Sequence, residues 1–199
     1  VHQLPGVEVC PVHAVWLEAS AVRIGNVRSR HRFLPAEGAI VVRPPRALTR
    51  SDRGHQVRLQ LACDAAWVLH HPALWTDLVS IRSRYVRRLA ARELLRDNGR
   101  VPRLDALRAE WVRVYPPDLL QALLGRGDGP GNLDWLLALV RAPRKAQHPV
   151  YHLLLIQFLE QTAAAFFAVP VECLPFGAGP WPCLNPATAH YAEARIATC

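Results

Sequence analysis

PVYHLLLIQFLEQTAAAFFAV, residues 149–169, is the most hydrophobic stretch of the chain. Pro149 suits a first helical turn, because its missing N–H is one that a helix start leaves unbonded and its φ is already helical. The apolar residues that follow fall on every side of a 3.6-residue repeat. A helix apolar all round belongs in the middle of a fold rather than at its surface. The reading is therefore one central helix over 149–169, with the rest of the chain supplying its cover.

Helical spacing recurs upstream. Val57, Leu61, Ala65 and Val68, with Leu59, Ala62, Ala66 and Leu69 beside them, predict a helix over 55–70 with Cys63 as a packed thiol. Beyond Pro72 a second helix is predicted on Leu74, Leu78, Ile81, Tyr85, Leu89 and Leu95, stopping at Asn98-Gly99. A third, over 103–115, uses Leu104, Leu107, Trp111 and Val114 and ends before Pro116-Pro117; a fourth, 118–124, opens on an acidic turn and ends at Gly125. The Gly127, Gly129, Pro130 and Gly131 loop lacks a Lys-Ser/Thr pair and a preceding strand, so it is no phosphate cradle. Asn132 is expected to cap a helix through Trp135, Leu136, Leu139 and Val140.

Arginine is interleaved with these stripes. Arg82, Arg84, Arg87, Arg88 and Arg92 give the second helix a basic face, and Arg100 and Arg103 flank the turn at Gly99, which suggests a helix-turn-helix-like unit. Arg141, Arg144 and Lys145, with His148, form a basic group between helices, directly before the central one. DNA-binding helical domains aim contacts from such ends and loops. Lys145 is the one lysine among 24 Lys and Arg, and the formal net charge is +8. A basic surface attracts polyanions through counterion release. A GC-rich genome produces the same arginine bias, and a charge run on a helix is also what a solvated face looks like.

Length and composition allow one large domain or two small ones. With 51% hydrophobic and 20% charged residues the chain is globular. No run of 18 apolar residues marks a membrane span and no signal peptide is visible, so the cytoplasm is the default address. The five cysteines, an odd number, argue against a disulfide framework there. Motifs for paired carboxylates, a Ser nucleophile elbow or H-E-x-x-H zinc hydrolysis are absent, which disfavours an enzyme. Residues 31–54 read as a linker, with a short strand at Ala39-Ile40-Val41-Val42 and then Pro44-Pro45; Arg28, Arg30, His31 and Arg32 precede it as a basic cluster.

Both ends carry metal-ligand chemistry. Cys10-Pro11-Val12-His13 has the C-x-x-H spacing that lets two side chains reach one ion from a tight turn; the bland reading is a buried thiol beside a surface histidine. FGAGPWPCLNPATAHYAEARIATC, residues 176–199, sets Cys183, His190 and Cys199 among Gly, Pro and Asn. Such a segment has little apolar surface to order it, and Zn²⁺ can supply the missing folding energy. A chain starting at Val1 and lacking Met is expected to be a piece of a longer protein.

HQLPGVEVCPVH, RKAQHPVYHLLLIQFL and FGAGPWPCLNPATAHY, in this order, resemble the TnsD/TniQ target-selector proteins of Tn7-like DNA transposons. The resemblance implies that Cys10 and His13 complete a zinc finger begun by an upstream C-P-x-C pair. It also implies a second structural zinc element holding Cys183, His190 and Cys199, with Thr188 standing where relatives often have cysteine. It further implies a bacterial, non-enzymatic protein that binds double-stranded attachment-site DNA and recruits the AAA+ ATPase TnsC. Some relatives instead act as adaptors in CRISPR effector complexes without reading DNA themselves. The expected architecture is mainly α: half a zinc finger over 1–30, the linker over 31–54, a helical DNA-binding body over 55–172, and the start of a second zinc element over 173–199.

Overall fold

The computed structural model describes residues 1–19, 43–75, 77–96, 102–124, 133–141, 147–168 and 180–196. Among the described residues there are seven α-helices: α1 (Arg53–His70), α2 (Leu78–Ala91), α3 (Leu104–Val114), α4 (Pro117–Leu124), α5 (Asp134–Val140), α6 (Pro149–Glu160) and α7 (Ala163–Ala168). A short 3₁₀ turn, Pro72–Trp75, separates α1 from α2. Two short strands, β1 (Trp181–Pro182) and β2 (Ala194–Ile196), pair antiparallel. By contacts the chain divides into two units, Val1–Val169 and Pro170–Cys199.

Local chemistry sets most helix starts. The Asp52 carboxylate accepts the N–H of His55 at 3.0 Å, and Asp77 accepts that of Val79 at 2.9 Å, each satisfying a donor in a first turn. Pro149 opens α6, where His148 Nδ1 accepts the Val150 N–H. Leu133 stands at the start of α5; Asn132, the expected cap, lies outside the described residues.

The central helix is where sequence places it, but it is shorter. Leu153, Leu154, Leu155, Ile156, Phe158 and Leu159 are buried round all sides of α6, which packs against α1, α2, α5 and α7. Burial of each such side chain is worth about 1.5–3 kcal/mol. Trp111 of α3 lies 5.0 Å from Phe158 and 5.4 Å from Trp135, and the Tyr115 hydroxyl donates to the Leu154 carbonyl at 2.7 Å.

Instead of one helix over 149–169, the chain breaks after Glu160. Gln161 takes a left-handed φ of 68°, and a new helix starts at Ala163. Its first donors are met from two sources: Thr162 Oγ1 accepts the Ala165 N–H at 3.1 Å, and Asp64 Oδ1 of α1 accepts the Ala163 N–H at 2.8 Å. The new helix is thus capped by a carboxylate about a hundred residues upstream, and the break itself falls on the polar run Glu160-Gln161-Thr162.

Two further expectations change. Helices α2 and α3 are joined not by the three-to-four-residue turn of a helix-turn-helix but by residues 92–103, closed by an isolated bridge between Leu95 and Pro102. The first residues, expected as a separate small element, share the helical core: Val7 belongs to it, and Gly6, at φ 84°, leaves a Cβ position only 2.8 Å from Val150 Cγ2. Much of the expected linker over 31–54, with its strand, lies outside the described residues.

Candidate nucleic-acid interface and metal-ligand elements

Helix α2 carries the arginines that its sequence presents as a basic outer face. Four of the five turn back onto the protein. Arg82 Nε donates to the Val140 carbonyl at 2.7 Å; Arg84 Nη1 and Arg88 Nη2 both donate to the Phe166 carbonyl at 3.1 Å; Arg92 Nη2 donates to the Leu159 carbonyl at 2.6 Å. Those carbonyls belong to the last turns of α5, α7 and α6, whose C=O groups have no partner within their own helix. A guanidinium also complements the negative end of a helix dipole.

The same side chains lie on aromatic rings. Arg88 is 4.8 Å from the Phe166 centroid, Arg92 5.2 Å from Phe158 and Arg84 5.4 Å from Phe167, and Arg88 Nε is ion-paired with Glu160. Burial, and secondarily the neighbouring Arg88 charge, lowers the pKa of Arg84. The stripe is a clamp that closes three helix ends.

Arg87, on the other side of α2, is exposed. Arg103 is exposed at the start of α3, its backbone N–H bonded to the Leu94 carbonyl, and Arg141 is exposed just past α5. Of the residues expected to face DNA, these three are exposed. Arg100, Arg144 and Lys145 lie outside the described residues.

Cys10 and His13 come together in a tight hairpin. The Cys10 N–H donates to Val15 O at 2.8 Å, the Ala14 N–H returns to Cys10 O at 3.0 Å, and Ala14 has a positive φ of 52°. This turn sets Cys10 Sγ 3.4 Å from His13 Nδ1 and aims the His13 N–H at the sulfur, 3.5 Å away. Zn–S and Zn–N bonds of about 2.3 and 2.0–2.1 Å at the tetrahedral angle put two donor atoms about 3.6 Å apart. The pair therefore fits one edge of a zinc tetrahedron. Cys63 of α1 lies against the same turn, its thiol 3.9 Å from the Pro11 carbonyl, and burial raises its pKa.

The second element repeats the device. The Cys183 N–H donates to Glu193 O at 2.9 Å and the Ala192 N–H to Cys183 O at 2.8 Å, with Ala192 at φ 64°. Cys183 Sγ lies 3.5 Å from Thr188 Oγ1, and this contact, with a backbone hydrogen bond from Asn185, lowers the thiol pKa. His190 is half-buried in the same turn, and Cys199 lies outside the described residues. Among the described residues no three metal-ligating side chains converge. The first turn brings two possible ligands together, Cys10 and His13, and the second places Cys183 beside Thr188.

Sequence reasoning passed over one group. Arg43, Arg46, Arg50 and Arg53 are all exposed, and the residues between them hydrogen-bond to the first knuckle and to α1. They lack periodicity and read as linker. The signal was their density, four arginines in eleven residues.

A protein-family model described as Tn7-like transposition protein D (TnsD) matches residues 61–199. Neither a curated protein nor a solved structure matches the chain. No helix among the described residues is long and apolar enough to cross a membrane.

Proposed function

Because this chain belongs to the TnsD family of Tn7-like transposition proteins, we propose that it selects the target of transposition, binding double-stranded DNA at an attachment site and recruiting the AAA+ ATPase TnsC. It takes part without catalysing the strand chemistry itself. The observation that carries the DNA reading is the division of the arginines. Arg82, Arg84, Arg88 and Arg92 are tied to carbonyls at the ends of α5, α6 and α7, whereas Arg87 and Arg141 stand exposed at the surface. Side chains on a rigid frame reach phosphates and base edges with little ordering cost.

Structural Zn²⁺ is part of this proposal. Cys10 and His13 would supply two ligands at the first knuckle, and Cys183, His190 and Cys199 would serve the second. Bound zinc would fix the second hairpin, which has little apolar surface of its own to do so.

A gel shift on duplexes containing and lacking the attachment sequence tests the reading. Binding that prefers the attachment duplex and weakens steeply with salt supports it. Absence of binding at low salt overturns it and leaves an adaptor, of the kind that serves CRISPR effector complexes, as the account of the family membership.

A further inference from the structure

The stretch RPPRALTRSDR, residues 43–53, holds four arginines and one carboxylate. That carboxylate, Asp52, is engaged in capping α1 through the N–H of His55. Arg43, Arg46, Arg50 and Arg53 are exposed, and none is paired with an acidic side chain among the described residues. Arg58, nearby on α1, shows the contrast: it is half-buried and bound to Glu8 at 2.7 Å.

An irregular, arginine-rich segment is normally a solvated loop. This one is anchored along its length. Ala47 bridges to Val15, the Trp16 N–H donates to Arg46 O at 2.9 Å, the Thr49 N–H donates to His55 Nδ1 at 2.9 Å, and Gln56 Nε2 donates to Arg50 O at 2.6 Å. Pro44 and Pro45 restrict the backbone at its start. The Arg46 guanidinium lies 4.4 Å from the Trp16 ring centroid. Stacking uses the face of a guanidinium and leaves its in-plane N–H fork for a phosphate. Between this arm, the Cys10–His13 turn and α1 runs an open cleft of about 490 Å³, with Arg50 and His13 on its lining.

We infer that residues 43–53 form a phosphate-gripping arm that holds the backbone of duplex DNA beside the first knuckle, independently of base sequence. The inference rests on the DNA reading above and deepens it: the α2 stripe serves the fold, and the sequence-independent grip lies on this arm. Preorganisation by the anchors favours it, since the arginines are delivered on a backbone already fixed.

The experiment uses the intact protein and a mixed-sequence duplex, measured by fluorescence anisotropy across a salt series. Replacing Arg43, Arg46, Arg50 and Arg53 by Gln should weaken binding at least about ten-fold at low salt, whatever the duplex sequence, and flatten the salt slope by about three units. A second variant, Arg43→Gln/Arg50→Gln/Arg53→Gln, keeps Arg46 on Trp16 and decides the matter if the quadruple variant loses its fold. It should flatten the slope by about two to three units. Wild-type binding with unchanged affinity and slope in folded variants overturns the arm alone. Failure of the wild-type protein to bind any duplex overturns the DNA reading and the arm with it.

Discussion

Asp64 of α1 accepts the backbone N–H of Ala163 at 2.8 Å, so a buried carboxylate in the first helix caps the last one of the helical unit. Oδ1 also accepts from Gln60 Nε2, while Oδ2 is buried with no partner among the described residues. Burial pushes the carboxyl up to about 6 from an ordinary 3.8, against the pull of the Ala163 and Gln60 hydrogen bonds. Below pH 3.8 the group is protonated folded or unfolded. As pH rises toward 6 the folded state keeps a proton that the unfolded chain releases, so this group's stabilising contribution is lost through that window. The change is on the order of 3 kcal/mol at one pKa unit per 1.36 kcal/mol. Asp64→Asn should abolish this fall, read from urea unfolding between pH 4 and 7. A variant with the same pH profile as the wild type would show that Asp64 does not titrate there.

His152 of α6 works in the opposite sense. Its Nδ1 lies 2.9 Å from the hydroxyl of the buried Tyr85, and burial lowers its pKa to about 4 from 6.5. Above pH 6.5 the ring is neutral in both states. As pH falls toward 4 the unfolded chain takes up a proton that the folded one refuses, and stability is lost. The Asp64 and His152 contributions therefore oppose each other through mild acid. His152→Gln should leave the Asp64 effect alone, so that stability falls as pH rises from 4 to 6; a rise there would contradict the assignment.

Arg88 and Arg87 are neighbours in sequence with different tasks. Arg88→Ala removes an ion pair with Glu160 and a bond to the Phe166 carbonyl, and should cost at least about 1.5–3 kcal/mol, the worth of one hydrogen bond to a charged group. Arg87→Ala, at an exposed position, should stay within about 0.5 kcal/mol of wild type. Equal losses in thermal unfolding would dismiss the clamp.

Zinc content is checked by metal analysis of the intact protein, where about two ions per chain are expected. Cys10→Ser should remove about one ion and loosen the first hairpin. A folded intact protein free of zinc would dismiss the metal proposal at both ends.

The sequence made the helical class legible where local signals and burial agree. Pro116-Pro117 separates α3 from α4, Gly125 follows the end of α4, and the apolar stripes of α1 and α3 match buried faces such as Leu61, Ala65, Leu107 and Trp111. The break at Gln161 fell on the polar run Glu160-Gln161-Thr162 between two apolar stretches, and the Asp64 carboxylate that caps the new helix at Ala163 lies far upstream. The inward bonds of the arginines were hidden by sequence distance. A charge pattern on α2 says which residues share a face, but the carbonyls that Arg82, Arg84, Arg88 and Arg92 satisfy belong to helices dozens of residues later. The Cys10–His13 contact was legible because its spacing is local.

Target selection stands most directly on one measurement: enrichment of duplexes by the intact protein from a random-sequence pool, followed by the affinity of the winner at 50 and 200 mM salt. The expected result is a single enriched sequence, bound at least about a thousand-fold more tightly than mixed duplex and losing affinity steeply with salt. A pool that stays random at low salt, with no duplex retained, would contradict the proposal that this chain reads its target.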